Sequence, residues 1–452
     1  MRCAAIVVLL AALAAAPRAR ACGWDGESYH AEAKSLPCVY NALTGIYPRH
    51  TPRYYETRVA GADAALAWAP DLAAALDDKG IALMKLGRLP EARAVMERRE
   101  KLAPEAYAAH ANLGTLYTFT GDWELALPEI DRAMKLEPAA HFGRETYHRQ
   151  LVEYLRALAA DPVKTLERDF LGLALTKEQR LRGIPAQLTA AGVKPDAFDA
   201  LVSMITVYGA ERVSHVHFAL GDLLALRGDR RLAWTAYENA RALGHPRAKE
   251  LRRWMKELGD VIAAERPRSP PRDFGQPGGY QGMPRALGGA HAVAGMLTSN
   301  YEAWELGQLK RGLPVWRAEG LTVVYAKQHE LRRRCESPGV IGDRPADPRV
   351  DEAAAKEAAS KVSAAPAPAK VAEADAYLTA LEGAATLPRP PAVSCAARAT
   401  SEATYRAAHA AALAPTPATL HAIDADAARR PRFKRALDAL VDATMACAAK
   451  RR

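Results

Sequence analysis

Three side chains in one short segment have the types and the spacing of a metal site. His141, Glu145 and His148 stand at positions i, i+4 and i+7, which places them on one face of a helix. Such a face ligates a zinc or iron ion if a facing helix supplies a fourth ligand. The alternative is a hydrogen-bonded polar cluster where two helices meet. We favour the cluster, because no second motif of this kind occurs in the sequence.

Other signatures of catalysis are absent from the sequence. It contains no H-E-x-x-H, no G-x-S-x-G and no dinucleotide-binding fingerprint. His215 and His217 form an H-x-H pair, but on a helix their side chains point to different faces. We therefore predict a protein that is not an enzyme and that uses no cofactor.

The N-terminus has the pattern of a secretory signal peptide. Arg2 precedes an apolar run over residues 3–16, and residues 19–21 (Ala-Arg-Ala) form a small-x-small cleavage site. The predicted signal peptide covers residues 1–21, so the mature chain begins at Cys22. We expect a periplasmic or secreted protein. A cysteine at the cleavage point makes lipid attachment to the envelope membrane the alternative.

Export makes disulfides possible, and the sequence contains six cysteines. The sequence does not fix how they pair. The simplest arrangement joins Cys22 to Cys38 and Cys395 to Cys447, and it leaves Cys335 free or in an intermolecular bond. No two cysteines stand in a C-x-x-C spacing, which argues against a cysteine metal site.

Composition and charge are those of an ordinary folded protein. Hydrophobic residues make up 49% of the chain and charged residues 25%. The net charge is +10, but acidic and basic residues are interspersed, and only residues 332–334 form a tight basic run. We therefore expect no nucleic-acid partner. No stretch beyond the N-terminus reaches 18 uninterrupted apolar residues, so no transmembrane helix is expected.

Two stretches of the chain repeat each other at an offset of 34 residues. The matching residues are Gly80, Gly87, Ala92 and Pro104 in the first stretch and Gly114, Gly121, Ala126 and Pro138 in the second. The first glycine of each set lets a second helix approach closely, and the second glycine ends the first helix in a left-handed conformation. The alanine lies at the helix crossing, and the proline stops the second helix.

A third repeat and a closing helix are predicted farther along the chain. Gly221, Gly228, Ala233 and Tyr237 stand where the pattern places its packing residues. The segment between the second and third repeats must contain helices of another length. The closing helix follows at residues 247–258, and its apolar stripe should face the core. That stripe consists of Leu251, Trp254, Met255 and Leu258.

The period of 34 residues and these residue types resemble the tetratricopeptide repeat, a helix–turn–helix unit that stacks into a solenoid. The resemblance implies an all-α fold with a helical solenoid. It also implies a groove in which a partner peptide lies against the first helices of the repeats. The implied groove residues are Asp77, Ile81, Met84 and Lys85 in the first repeat and Asn112, Thr115 and Phe119 in the second.

The same resemblance bears on the kind of peptide. One subclass of the family binds a C-terminal carboxylate with paired asparagines and basic residues, and Asn112 matches one of these asparagines. Asp77 stands where that subclass has a lysine, and its charge would repel a carboxylate. We therefore expect an apolar or mixed peptide. The alternative is that the groove residues pack against the chain itself, for example against residues 22–52.

Composition divides the rest of the chain. Residues 22–69 form an aromatic-rich N-terminal strip and a half-repeat, and the strip should pack on the first repeat. The predicted solenoid with its closing helix covers residues 70–265. The remaining segments are a Pro/Gly-rich surface loop at 266–289, a helical extension at 290–343, a flexible linker at 344–372 and a separate small C-terminal helical module at 373–452.

These features together predict an exported, non-catalytic scaffold or adaptor that binds a protein or peptide in the periplasm or cell envelope. The sequence does not identify that partner. Two alternatives stay open. One is a metal-binding protein or metalloenzyme built on His141, Glu145 and His148. The other is a structural envelope lipoprotein anchored at Cys22.

Overall fold

The computed structural model describes residues 37–264, 279–310 and 368–443, except for positions 48, 69, 139–143, 195 and 389–391 and scattered residues beyond 413. Throughout this part of the chain the regular structure is helical and contains no strand. Consecutive helices pack as adjacent pairs. The prediction of an all-α, solenoid-like fold is therefore confirmed.

The helices are numbered in chain order. They are α1 (Val39–Thr44), α2 (Pro52–Trp68), α3 (Ala73–Lys85), α4 (Leu89–Leu102), α5 (Tyr107–Thr120), α6 (Trp123–Leu136), α7 (Arg144–Ala160), α8 (Pro162–Thr165), α9 (Lys177–Arg182), α10 (Ala186–Ala190), α11 (Ala197–Thr206), α12 (Ser214–Arg227), α13 (Arg230–Ala242), α14 (Ala248–Ala264), α15 (Gly279–Lys310), α16 (Pro368–Ala385) and α17 (Cys395–Ala408). A 3₁₀ turn, Ala210–Arg212, precedes α12.

The described residues fall into two compact units. The smaller unit contains residues 50–104, 302–310 and 368–443, and so the first repeat, α3–α4. The larger unit contains residues 37–49, 105–264 and 279–301, and so the second repeat, α5–α6, and the third, α12–α13.

The three repeats share one helix contact. In each repeat the first glycine faces a residue 16 positions later, on the second helix, and the two lie too close for a β-carbon to fit between them. An added β-carbon would lie 2.9 Å from Met96 at Gly80, 2.7 Å from Ile130 at Gly114 and 2.5 Å from Tyr237 at Gly221. The small residues therefore let the paired helices approach, as the pattern predicts.

The turn between the paired helices is also shared. Gly87, Gly121 and Gly228 have φ angles of 76°, 79° and 92°, the left-handed region that favours glycine. The amide of the following residue donates back to the first helix, for example from Asp122 to the Tyr117 carbonyl at 2.9 Å. This closes the helix end with the hydrogen bond that a glycine stop requires.

An additional helix pair lies between the second and third repeats. Helix α7 packs on α6 and α11, and α11 packs in turn on α12. Residues 161–196 are inserted between α7 and α11 and contain the short helices α8, α9 and α10. Helix α9 lies on α12 and α14, and α10 lies on α12. The insertion therefore covers the first helix of the third repeat.

The closing helix is confirmed. Helix α14 packs on α13, and its four predicted core residues are all at most 5% exposed. These are Leu251, Trp254, Met255 and Leu258.

The first helix of the N-terminal strip, α1, does not pack where we expect it. Tyr40 and Tyr47 are 2% and 3% exposed in the core of the larger unit, where α1 contacts α11 and α13. The side-chain amide of Asn239 on α13 also donates to the carbonyl of Leu43 at 2.7 Å. The expectation that this strip lies on the first repeat is therefore wrong for α1, because its apolar face has its complement on α11 and α13.

The predicted Pro/Gly-rich loop at 266–289 is wrong for its second half. Helix α15 begins at Gly279 and continues through Pro284. Met283, Leu287 and Ala290 are buried in the core of the larger unit at helical spacing. This packing stabilises the helix against the unfavourable propensity of its glycines and proline.

The C-terminal helices share a core with the first repeat and its preceding half-repeat. Tyr377 and Leu381 on α16 are buried together with Ala62 on α2 and Ala75 on α3. Arg406 on α17 also donates to the carbonyl of Ala67 at 2.6 Å. The C-terminal module is helical as predicted, but its core is not separate. Its first helix begins at Pro368, inside the segment predicted as a linker.

Several predictions fall outside the described residues. They concern the signal peptide, Cys22, His141, Cys335, Cys447, residues 311–343 and residues 344–367. Cys38 and Cys395 are each disulfide-bonded. Neither bond joins two described residues, so the predicted pairing of Cys38 with Cys22 and of Cys395 with Cys447 stays a prediction. Within the described ranges, no helix combines the length and the apolar character needed to cross a membrane.

Candidate functional site

The groove residues implied for the first repeat lie on α3 and are mostly buried. Ile81 and Met84 are each 1% exposed, and Lys85 is half-buried. The Oδ2 atom of Asp77 accepts a hydrogen bond from Nε of Arg99 on α4 at 3.2 Å, and both side chains are nearly inaccessible. The carboxylate that would repel a peptide carboxylate therefore already belongs to a buried ion pair.

The groove residues of the second repeat are buried as well. Asn112, Thr115 and Phe119 on α5 are 1%, 1% and 4% exposed. The expectation of an open trough at these positions is therefore corrected, and a partner reaches them only if helices separate. The burial supports the alternative in which these side chains pack within the chain.

The sequence of α5 contains a signal for this burial. Residues 107–120 include no aspartate, glutamate, lysine or arginine. A helix without a charged face is expected to be covered on all sides. The absence of charge in α5 therefore predicts a buried helix and not one with an open face.

The residues of the metal alternative form a buried hydrogen-bonded network. Oε1 of Glu145 accepts from the Tyr107 hydroxyl at 2.9 Å, and its Oε2 lies 3.3 Å from Nδ1 of His148. The other ring nitrogen of His148 lies 3.1 Å from the Thr118 hydroxyl. Both nitrogens of His148 therefore face oxygen atoms in the structure. Among the described residues, which do not include His141, no three His, Cys, Asp or Glu side chains form a metal-binding group.

The groove face continues in the third repeat, and there the chain itself occupies it. Counted from the repeat glycine, Phe218 on α12 is equivalent to Asp77, and Asp222 is equivalent to Ile81 and Thr115. Arg180 of α9 donates through Nε to Oδ1 of Asp222 at 3.2 Å and through Nη2 to Oδ2 at 3.4 Å. The Arg180 guanidinium carbon lies 3.7 Å from the ring centroid of Trp254 on α14. We call Asp222, Trp254 and Tyr237 the arginine pocket.

The arginine pocket is isolated from water. Arg180 and Asp222 have side chains that are 3% and 0% exposed. Burial raises the pKa of Asp222, and the neighbouring Arg180 opposes that shift. Tyr237 donates its hydroxyl to Oδ1 of Asp222 at 2.6 Å. Both carboxylate oxygens are therefore satisfied, which a buried carboxylate requires.

Beside the pocket lie four buried polar atoms that have no hydrogen-bond partner among the described residues. They are the Tyr154 hydroxyl, Oδ2 of Asp169, Nδ1 of His215 and Nε2 of His245. The His215 ring lies 5.1 Å from the ring of Tyr154 and 4.6 Å from that of His245. Burial lowers the pKa of His215 to about 4. Burial is also the main reason why the pKa of His245 is lowered to about 2. Both histidines are therefore neutral at pH 7.

The sequence contains one indirect signal for the arginine pocket. Asp222 is the only acidic residue in α12, whose other residues are mainly apolar. A buried carboxylate requires a cation or several donors, so a distant partner follows from its burial. Nothing in the sequence identifies Arg180, which lies 42 positions earlier, as that partner.

Comparison of the chain with known protein families and with curated proteins finds no match.

Proposed function

We propose that this protein is a non-catalytic scaffold of the tetratricopeptide-repeat kind that binds another protein through the groove face of its helical repeats. The observation that carries the proposal is the contact shared by the three repeats, in which a glycine faces the residue 16 positions later. Repeats of this kind usually offer a surface to a partner. Glu145 and His148 on α7 contact the hydroxyl groups of Tyr107 and Thr118 on α5, and this contact between two helices favours a structural role over the metalloenzyme alternative.

We place the binding surface at the third repeat. The corresponding residues of all three repeats are buried, and at the third repeat the segment that lies on α12 and α14 is the short helix α9. Its polar contacts are those that a bound peptide makes, with a buried arginine and backbone carbonyls that accept from Arg230. A face that binds one such segment has the chemistry to bind another.

We also propose that the protein acts outside the cytoplasm, either in the periplasm or secreted, with a lipid on Cys22 as the alternative. The signal-peptide pattern of residues 1–21 supports this. Mass spectrometry of the mature N-terminus tests it. A chain that begins at Cys22 is expected, the presence of lipid distinguishes the two locations, and an N-terminus that retains residues 1–21 would contradict export.

Photo-cross-linking in intact cells tests the scaffold proposal. One cross-linker replaces Glu257 on α14, which lies at the edge of α9 through its 3.0 Å contact with Lys177. A control replaces Arg132 on α6, whose side chain is 43% exposed. We expect discrete adducts with another protein from position 257 and none from position 132. Adducts from position 132 alone would refute the groove assignment, and no adducts from either position would refute the scaffold function.

A further inference from the structure

The groove face of the third repeat holds α9 in the manner of a bound ligand. Helix α9 has six residues, and its neighbours along the chain, α8 and α10, have four and five. Helices this short are not stable alone, so their conformation depends on the surface beneath them. Arg180 has the most deeply buried side chain of α9, and this side chain contacts that surface.

We propose that the arginine pocket is the binding site for an arginine-bearing segment of the partner protein, and that α9 occupies this site in the same chain until the partner displaces it. The proposal rests on the scaffold function proposed above and specifies the chemistry of the partner. The partner presents an arginine flanked by residues that pack on α12 and α14.

The pocket is selective for a guanidinium group. Asp222 accepts two donors from one planar group, and the guanidinium carbon of that group lies 3.7 Å from the centroid of the Trp254 ring. A lysine ammonium has neither the two-pronged donor geometry nor the flat face. The pocket is closed to water, so no water molecule can donate to Asp222 in place of a missing guanidinium donor. This strengthens the preference for arginine over lysine.

The contacts at the ends of α9 are ones that a competitor can replace. Lys177 pairs with Glu257 at an exposed edge, where an ion pair contributes little. Arg230 donates to the carbonyls of Leu181 and Arg182, which any peptide backbone supplies. Phe170 and Leu173, in contrast, are buried in the core, so the insertion stays anchored at its beginning when α9 leaves.

Peptide binding to the full chain tests the proposal. The probe is a labelled peptide with the sequence of residues 175–183, and the control peptide carries lysine in place of the arginine equivalent to Arg180. The chain variant Arg180→Ala empties the pocket. We expect the arginine peptide to bind this variant at least tenfold more tightly than it binds the unaltered chain. The lysine peptide should bind the variant at least tenfold more weakly than the arginine peptide binds it. Equal affinity for the two peptides, or no binding to the folded variant, would overturn the proposal.

Hydrogen exchange on the unaltered chain keeps the proposal testable if Arg180→Ala fails to fold. Excess arginine peptide should lower the protection of the α9 amides by at least tenfold and leave that of the α12 amides unchanged. Unchanged protection of α9 would overturn displacement. The results also separate the two proposals. Cross-linked adducts without peptide binding refute the arginine site alone, whereas peptide binding without adducts refutes the scaffold function alone.

Discussion

Replacing Gly114 by alanine tests whether the helices of a repeat approach as closely in solution as they do in the structure. The added β-carbon would lie 2.7 Å from Cγ1 of Ile130 and 3.3 Å from its backbone nitrogen. Ile130 is fully buried on α6, and a backbone atom moves only if its helix moves. The substitution therefore forces the two helices apart or strains the side chain.

The size of the effect follows from two opposing terms. Alanine stabilises a helix interior by about 1 kcal/mol relative to glycine. Overpacking a close-packed core costs about 1–3 kcal/mol, and the contact with the Ile130 backbone places this site at the upper end. We therefore expect Gly114→Ala to lower the free energy of unfolding by about 1–2 kcal/mol.

Gly295 is the matched control. It lies within α15 in the same unit, and a β-carbon added there meets no atom within 4 Å. Gly295→Ala should therefore raise the free energy of unfolding by about 1 kcal/mol. Gly221→Ala should be the most destabilising of the three substitutions. Its β-carbon would lie 2.5 Å from the ring of Tyr237, which is held by its hydrogen bond to Asp222.

Urea unfolding followed by circular dichroism measures these differences, with an unchanged slope as the sign that only stability has changed. An increase in the free energy of unfolding for Gly114→Ala as large as that for Gly295→Ala would refute this prediction. That outcome would mean that the glycine is not at a close helix contact, and the shared geometry of the repeats would lose its support.

Two further predictions concern buried polar groups. Burial lowers the pKa of His215 and of His217 from 6.5 to about 4. On acidification the unfolded chain therefore binds protons at these histidines at a higher pH than the folded chain does. Stability should be full above pH 6.5 and fall by about 1.4 kcal/mol per pH unit for each histidine down to pH 4. Urea midpoints across this range should fall less steeply on acidification in His217→Gln than in His291→Gln, an exposed control, because His215 and His245 remain; equal curves for both variants would contradict the assignment. Glu145→Gln should lower stability by about 1–3 kcal/mol through its network with His148, without changing the metal content measured by mass spectrometry; loss of stoichiometric zinc or iron in the variant would instead establish the metal alternative.

The repeated hairpins are the part of the fold that local sequence predicts well. Glycine at a tight crossing and glycine at a helix end are needed for reasons that act within a few residues, so their positions are visible in the sequence. The closing helix is likewise visible, because its apolar stripe recurs at helical spacing. The helix through Pro284 is not, because the core contacts of Met283 and Leu287 override the local propensity.

The candidate site divides in the same way. The sequence by itself determined that paired helices recur and that Asp222 lies among apolar neighbours. Its resemblance to the tetratricopeptide repeat implied which face of each pair would bind a partner. Only the tertiary structure decided that this face is covered in the first two repeats and that Arg180 fills it in the third. The reason is physical. A helix pair depends on contacts between residues that are close in sequence, whereas the burial of a helix face depends on which distant segment packs on it.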